Sequence, residues 1–271
     1  MSRAVVQRGY ANGPHGQIHY RLAEPAEPAA TPLLCMHQSP HSGLIFEPLI
    51  AAMGNDRIAL APDTPGFGLS DPPERPPEIA DYAAAMAALL DDLGIPQVDV
   101  MGYHTGADTA VAMALAYPER VQHVVMISAP IYTTDELAAR RDTFGPSDPI
   151  EDGRFWQARW QRFRQWWPEQ GIAGNLLTNF FVESQRNPDY SWWGHRAAFS
   201  YPLADVLPRV QQPLLILNPE DDLWPVTPRA APLLSNGRIH DLPGWGHGFM
   251  HLHTDAVAQL LRDFLDQPSR P

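Results

Sequence analysis

Apolar positions in this chain fall into short runs separated by polar breaks rich in glycine and proline. Leu33 to Met36, Ile58 to Ala61, Val98 to Gly102, Val121 to Ile127 and Leu214 to Leu217 are all of strand length, and they run nearly unbroken rather than alternating. Such runs, with helical segments between them, predict a parallel sheet whose two faces are both covered, an α/β architecture. Two earlier stretches, Val5 to Tyr10 and Gln17 to Leu22, do alternate and flank Asn12-Gly13-Pro14-His15-Gly16, which predicts an opening antiparallel hairpin. The Ala- and Leu-rich segment from about Ile79 to Leu93 predicts a helix that stops at Gly94-Ile95-Pro96, where glycine can turn the chain and proline cannot continue it. A second helix is expected over 105–116.

Between Pro130 and about Ala204 the alternation of strand and helix breaks, and the composition shifts toward Trp, Arg and Gln. The expectation is a core made of 1–130 and 205–271, with a helical cap inserted over 131–204. Within it Trp156, Trp160, Phe163 and Trp167 follow spacings of four, three and four residues, which place them on one helical face, with Arg159 and Arg162 off the stripe. Such a stripe either packs the insert against the sheet or lends part of itself, Trp160 and Trp167, to an aromatic substrate pocket at the junction.

A chain of 271 residues that is 44% hydrophobic can bury one full core and carry such an insertion. Its formal charge of −12 argues against nucleic-acid partners, since phosphate attracts a basic surface. It also argues against a basic Trp-rich helix lying on a membrane. A small-molecule substrate is favoured. The lone Cys35 sits in an apolar run, so it reads as a buried thiol and excludes a disulfide framework. The first residues lack the apolar stretch of a signal peptide, which fits a soluble protein of the cytoplasm; the sequence does not decide whether the chain forms a homo-oligomer.

The most telling motif is Gly102-Tyr103-His104-Thr105-Gly106. Small residues flank a central side chain where a strand runs straight into a helix, because such a turn is strained and its backbones approach closely. Three further segments stand in a fixed order around it: His37-Gln38-Ser39-Pro40, Pro62 to Asp71 (PDTPGFGLSD), and Asn218 to Pro225 paired with Gly244-Trp245-Gly246-His247. Together they resemble the α/β-hydrolase superfamily, in the capped branch that holds epoxide hydrolases, dehalogenases and C–C hydrolases. The GxHxG segment stands where that family carries a GxSxG nucleophile elbow, so histidine replaces serine. Gln38 stands where the family's HGxP loop has glycine.

The resemblance implies that Asp221 orients His247, with Asp222 as the rival acid, and that His104 is presented to the site. It also implies a backbone oxyanion hole at Thr105 and Ser39, with His37 and Gln38 beside the substrate. His251, His253, Asp241 and Asp255 read as ordinary packing or surface groups. No cofactor is required, and the absence of a cysteine cluster or an HExxH helix gives no zinc motif. A neutral imidazole has a lone pair and could attack an acyl carbon directly, or it could act as general acid or base. The expected activity is hydrolysis of a small apolar or aromatic ester, lactone or related carbonyl compound. The alternatives are a cofactor-independent lyase or C–C hydrolase, and a binder without catalysis.

Overall fold

The computed structural model describes residues 3–146, 153–167 and 171–267. Strands β1 (Gln7–Gly13) and β2 (Gly16–Ala23) form the expected hairpin, extended until Gly13 pairs with Gly16 around Pro14-His15. β3 (Leu33–Met36), β4 (Ala59–Pro62), β5 (Val98–Tyr103), β6 (Val121–Ile127), β7 (Leu214–Pro219) and β8 (Gly237–Leu242) complete an eight-stranded sheet in the order β1-β2-β4-β3-β5-β6-β7-β8. β2 is antiparallel to β4, and every pairing from β4 to β8 is parallel. β8 was not anticipated, because as an edge strand it is largely exposed and lacks an apolar run.

The unbroken apolar runs have a direct cause. Leu34, Met36, Val100, Val124, Met126 and Ile216 belong to one buried cluster, while Leu33, Cys35, Met101, Val125, Ile127 and Leu215 belong to the other. Successive side chains of a strand point to opposite faces, so a sheet covered on both sides needs apolar residues at every position. Helices α1 (Glu47–Met53), α2 (Ile79–Asp92) and α3 (Thr105–Ala116) divide between the faces: α2 and α3 join the first cluster and α1 the second. Cys35 is fully buried, and burial pushes its thiol far above the ordinary range, consistent with an inert packing residue.

Between β6 and β7 the chain runs through α4 (Thr134–Thr143), α5 (Gly153–Trp166), α6 (Gly174–Ser184), α7 (Trp193–Ser200) and the short α8 (Leu203–Val206). The aromatic stripe of α5 is a stack: Trp160 lies 5.9 Å from Phe163, and Phe163 5.4 Å from Trp167. Trp167, Leu177 and Phe180 join the second cluster. α9 (Phe249–Leu252) and α10 (Thr254–Leu265) close the chain, with Val257, Leu261 and Phe264 of α10 packed beside α1 in that same cluster. Among the described residues, no helix is long and apolar enough to cross a membrane.

Candidate active site

β5 lies at the middle of the sheet between β3 and β6, and its last residues lead straight into α3. At the junction His104 has φ 48° and ψ −109°, a region that residues with side chains rarely occupy. The turn is held because the His104 amide donates to the Ile127 carbonyl at 3.1 Å and its carbonyl accepts from Ala107 at 2.8 Å. A Cβ on Gly102 would collide with the Gly106 carbonyl, and one on Gly106 with the Met36 carbonyl. Glycine is thus required at both flanks, and the imidazole is set at the carboxyl edge of the central strand.

His104 Nε2 lies 2.9 Å from Asp221 Oδ2. Asp221 follows β7 and is itself fixed, accepting from Ser128 Oγ at 2.8 Å and from the Leu223 amide at 2.8 Å. Ser128, just beyond β6, also has a left-handed backbone with φ 61°. Neither Ser128 nor Tyr103 was singled out from the sequence: one is a lone serine after a strand, the other a strand residue that reads as core.

The expected pairing of Asp221 with His247 is corrected by this geometry. His247 Nε2 lies 3.0 Å from Asp222 Oδ1, and its Nδ1 lies 3.0 Å from the Tyr103 hydroxyl. Asp221 instead meets the elbow histidine. Adjacent residues in a turn after a strand project in different directions, so two neighbouring aspartates serve two different histidines. The rings of His104 and His247 stand edge to face at 5.7 Å.

The charges follow from this arrangement. Burial by itself would lower the His104 pKa, but Asp221 and Asp222 outweigh it and hold it above the ordinary histidine value. Burial pushes Asp221 and Asp222 up, yet the facing imidazoles draw both below the ordinary carboxylate range, so both are ionised at neutral pH. Burial, then the two aspartates, keeps the Tyr103 phenol protonated. With the phenol donating to His247 Nδ1, the ring presents Nε2–H to Asp222.

In the early loop His37 Nε2 accepts from the Thr64 amide at 2.9 Å, and Nδ1 donates to the Gln38 carbonyl at 2.8 Å. Both ring nitrogens hold the loop together. Gln38 is 4% exposed and its Oε1 has no hydrogen-bond partner. Ser39 Oγ packs against Gly194 of α7, where a Cβ would clash with it. Thr105 is buried at the first position of α3, where the amides of a helix's first turn lack partners within the helix.

Trp167 touches two imidazoles, stacked 5.7 Å from His247 and tilted at 5.5 Å from His41. Trp160 is one step further out, against Phe163 and Phe181. His41 is buried with Nδ1 unpartnered, and burial lowers its pKa to about 3. His251 donates to the Ile45 carbonyl, His253 stacks on Trp245, Asp241 accepts from Asn218 and Asp255 pairs with Arg3. Asp63 of the PDTPGFGLSD segment is structural. It accepts from the Gly43 and Leu69 amides and pairs with His19 and Arg21. Among the described residues, one group could hold a metal ion: His104, Asp221 and Asp222, whose ligand atoms lie within 4.8 Å of one another.

A parallel sheet with a strained strand-to-helix turn, an early loop beside it, and acid and histidine delivered after the last strands defines a class. The family model described as alpha/beta hydrolase fold matches residues 31–253. The chain belongs to that family and is a hydrolase-class enzyme. It is 27% identical over 264 residues to a poly(3-hydroxyalkanoate) depolymerase of Ectopseudomonas oleovorans, covering 90% of this chain and 87% of that one. It is 35% identical over 108 residues to a 2-(acetamidomethylene)succinate hydrolase of Mesorhizobium japonicum, but over only 40% of this chain and 39% of the relative. Among solved structures, the enol-lactonase of Burkholderia xenovorans LB400 superposes with a TM-score of 0.80 at 20% identity, covering 96% of this chain and 100% of that one.

Proposed function

We propose that this chain hydrolyses a small ester, lactone or related carbonyl compound, with His104 as the reacting side chain and Asp221 as the carboxylate that orients it. The observation that carries the reading is the elbow itself. A strained turn presents an imidazole whose Nε2 is held at 2.9 Å by a buried aspartate, leaving Nδ1 for chemistry. The relatives named for ester, lactone and amide-type cleavage agree with that class of bond.

With Nε2–H donated to Asp221, the Nδ1 lone pair either removes a proton from water as its oxygen attacks the carbonyl carbon, or attacks that carbon itself. In the second case the carbonyl electrons move to oxygen, then return to expel the alcohol oxygen, which takes a proton from the water whose oxygen goes on to attack the acyl group. Water cleaves the acyl-imidazole afterwards. The Thr105 amide, and an amide of the Gln38-Ser39 loop, are the donors for the developing oxyanion. His247 is assigned a positioning role, since Asp222 and Tyr103 engage its two nitrogens. The segment 131–204 serves as the cap, with Trp167 as the apolar wall of the pocket. The unpartnered Gln38 Oε1 and His41 Nδ1 favour a substrate carrying a hydroxyl or amide donor, because buried polar atoms left unpaired are costly.

The test is intact-protein mass spectrometry after quenching with activated aryl esters and lactones, on wild type and His104→Ala, with product release followed in parallel. Turnover lost in the variant supports His104 as the reacting group, and an acyl adduct confined to wild type identifies nucleophilic attack. Equal turnover in both proteins overturns the reading.

A further inference from the structure

We propose that His104, Asp221 and Asp222 form a binding site for a first-row divalent transition-metal ion such as Zn²⁺ or Mn²⁺. This site goes beyond the hydrolytic reading: an ion there takes the Nε2 lone pair and replaces the His104–Asp221 hydrogen bond, so the metal-bound protein is a separate state from the metal-free one in which Nε2–H is donated to Asp221.

His104 Nε2 stands 2.9 Å from Asp221 Oδ2 and 3.9 Å from Asp222 Oδ1, and all three ligand atoms fall within 4.8 Å. Ligands at ordinary metal–nitrogen and metal–oxygen lengths around a tetrahedral ion are separated by about 3.3 Å. The observed separations bracket that value, so the donors reach a common ion by shifts of well under an ångström. Imidazole with two carboxylates is a donor set suited to zinc, manganese, iron or cobalt rather than to calcium, which takes oxygen alone.

Asp221 and Asp222 are consecutive carboxylates at the floor of the site, with side chains 0% and 29% exposed. Among the described residues no arginine forms an ion pair with either one; their ion-pair partners are His104 and His247. Two adjacent negative charges, one of them fully buried, call for compensation, and a dication matches them.

Metal-binding carboxylates are themselves hydrogen-bonded by outer partners that fix their orientation. Asp221 is held by Ser128 Oγ and the Leu223 amide, and Asp222 by His247, which is held in turn by Tyr103. Three groups from three separate segments hold the two ligands in place, and Tyr103 from a fourth holds His247. Three protein donors leave further coordination positions open, as in metal sites that bind water or a substrate oxygen.

The experiment is binding of Zn²⁺ to chelator-stripped wild-type protein, by isothermal titration and by metal analysis after equilibrium dialysis, with Mn²⁺ bound fraction read by electron paramagnetic resonance. The variants are His104→Ala, Asp222→Asn and, for surface histidines, His240→Ala, whose side chain is exposed on β8. The expected result is one equivalent per chain in wild type and in His240→Ala, with affinity lowered at least about 10- to 100-fold in the other two. Absence of stoichiometric binding in folded wild type overturns the proposal, as does binding unchanged in His104→Ala and Asp222→Asn. The wild-type result stands even where a variant fails to fold. Turnover is scored separately: a stripped enzyme that never hydrolyses the ester panel, with or without metal, while binding one equivalent, sinks the hydrolytic reading and keeps the cation site.

Discussion

His104 holds a backbone conformation that costs on the order of 1–3 kcal/mol, and the surrounding hydrogen bonds enforce it. What the strain secures is placement: Nε2 is directed to Asp221, so the ring is oriented before any substrate arrives. Asp221→Asn would keep the size of the side chain but weaken the charged hydrogen bond that fixes the imidazole. Turnover should fall by about 100-fold or more with the fold retained, as measured by steady-state kinetics beside circular dichroism. Trp167→Ala removes the ring that touches His41 and His247. It should raise KM for an aromatic ester several-fold while kcat changes less, because a wall that binds substrate and transition state alike acts on KM. The choice between Asp221 and Asp222 was not legible in the sequence. Their spacing to neighbouring motifs differs by one residue, and only the direction of each side chain in the turn decides which histidine it meets.

At the scale of elements, the elbow and α3 were legible almost to the residue. Gly102 and Gly106 mark where β5 and α3 cross, and the helix runs over the predicted 105–116. Gly106→Ala would drive a methyl group into the Met36 carbonyl, and overpacking against backbone has no flexible side chain to absorb it. A loss of at least about 1–3 kcal/mol is expected in chemical denaturation. One feature of α3 was not legible. Asp108 is fully buried with both oxygens unpartnered, and burial raises its pKa well above the ordinary value. A folded-state pKa above the unfolded one means that this group favours the fold fully below the ordinary carboxylate range, and that the contribution is lost as pH rises through the folded value. Asp108→Ala should therefore stabilise the protein by roughly 1–3 kcal/mol near neutral pH and above, and by less near pH 4. A variant equally or less stable than wild type across that range contradicts this.

For the whole molecule, the sheet's parallel run was legible because apolar runs report it locally. β8 was not, since an exposed edge strand leaves no such pattern, and neither was the His37 contact with Thr64, which joins two distant loops. Asp63 shows how such long-range ties govern stability. It joins β2 through His19 and Arg21 to the Gly43 and Leu69 amides. Burial alone would raise its pKa, but these partners hold it below the ordinary carboxylate value. A depressed folded-state pKa gives stability that is present above the ordinary carboxylate range and lost as pH falls through the folded value. Wild type should thus lose stability steeply on acidification below about pH 4, and Asp63→Asn, already weaker at neutral pH, should show a shallower decline in the same window.

Whether His104 and Asp221 act as one catalytic unit is tested by a double-mutant cycle on kcat/KM for an aryl ester. His104→Ala, alone or combined with Asp221→Asn, should lose activity to the same extent, because removing the orienting group changes nothing once the reacting group is gone. Losses that simply multiply, or a His104→Ala enzyme as active as wild type, would contradict it.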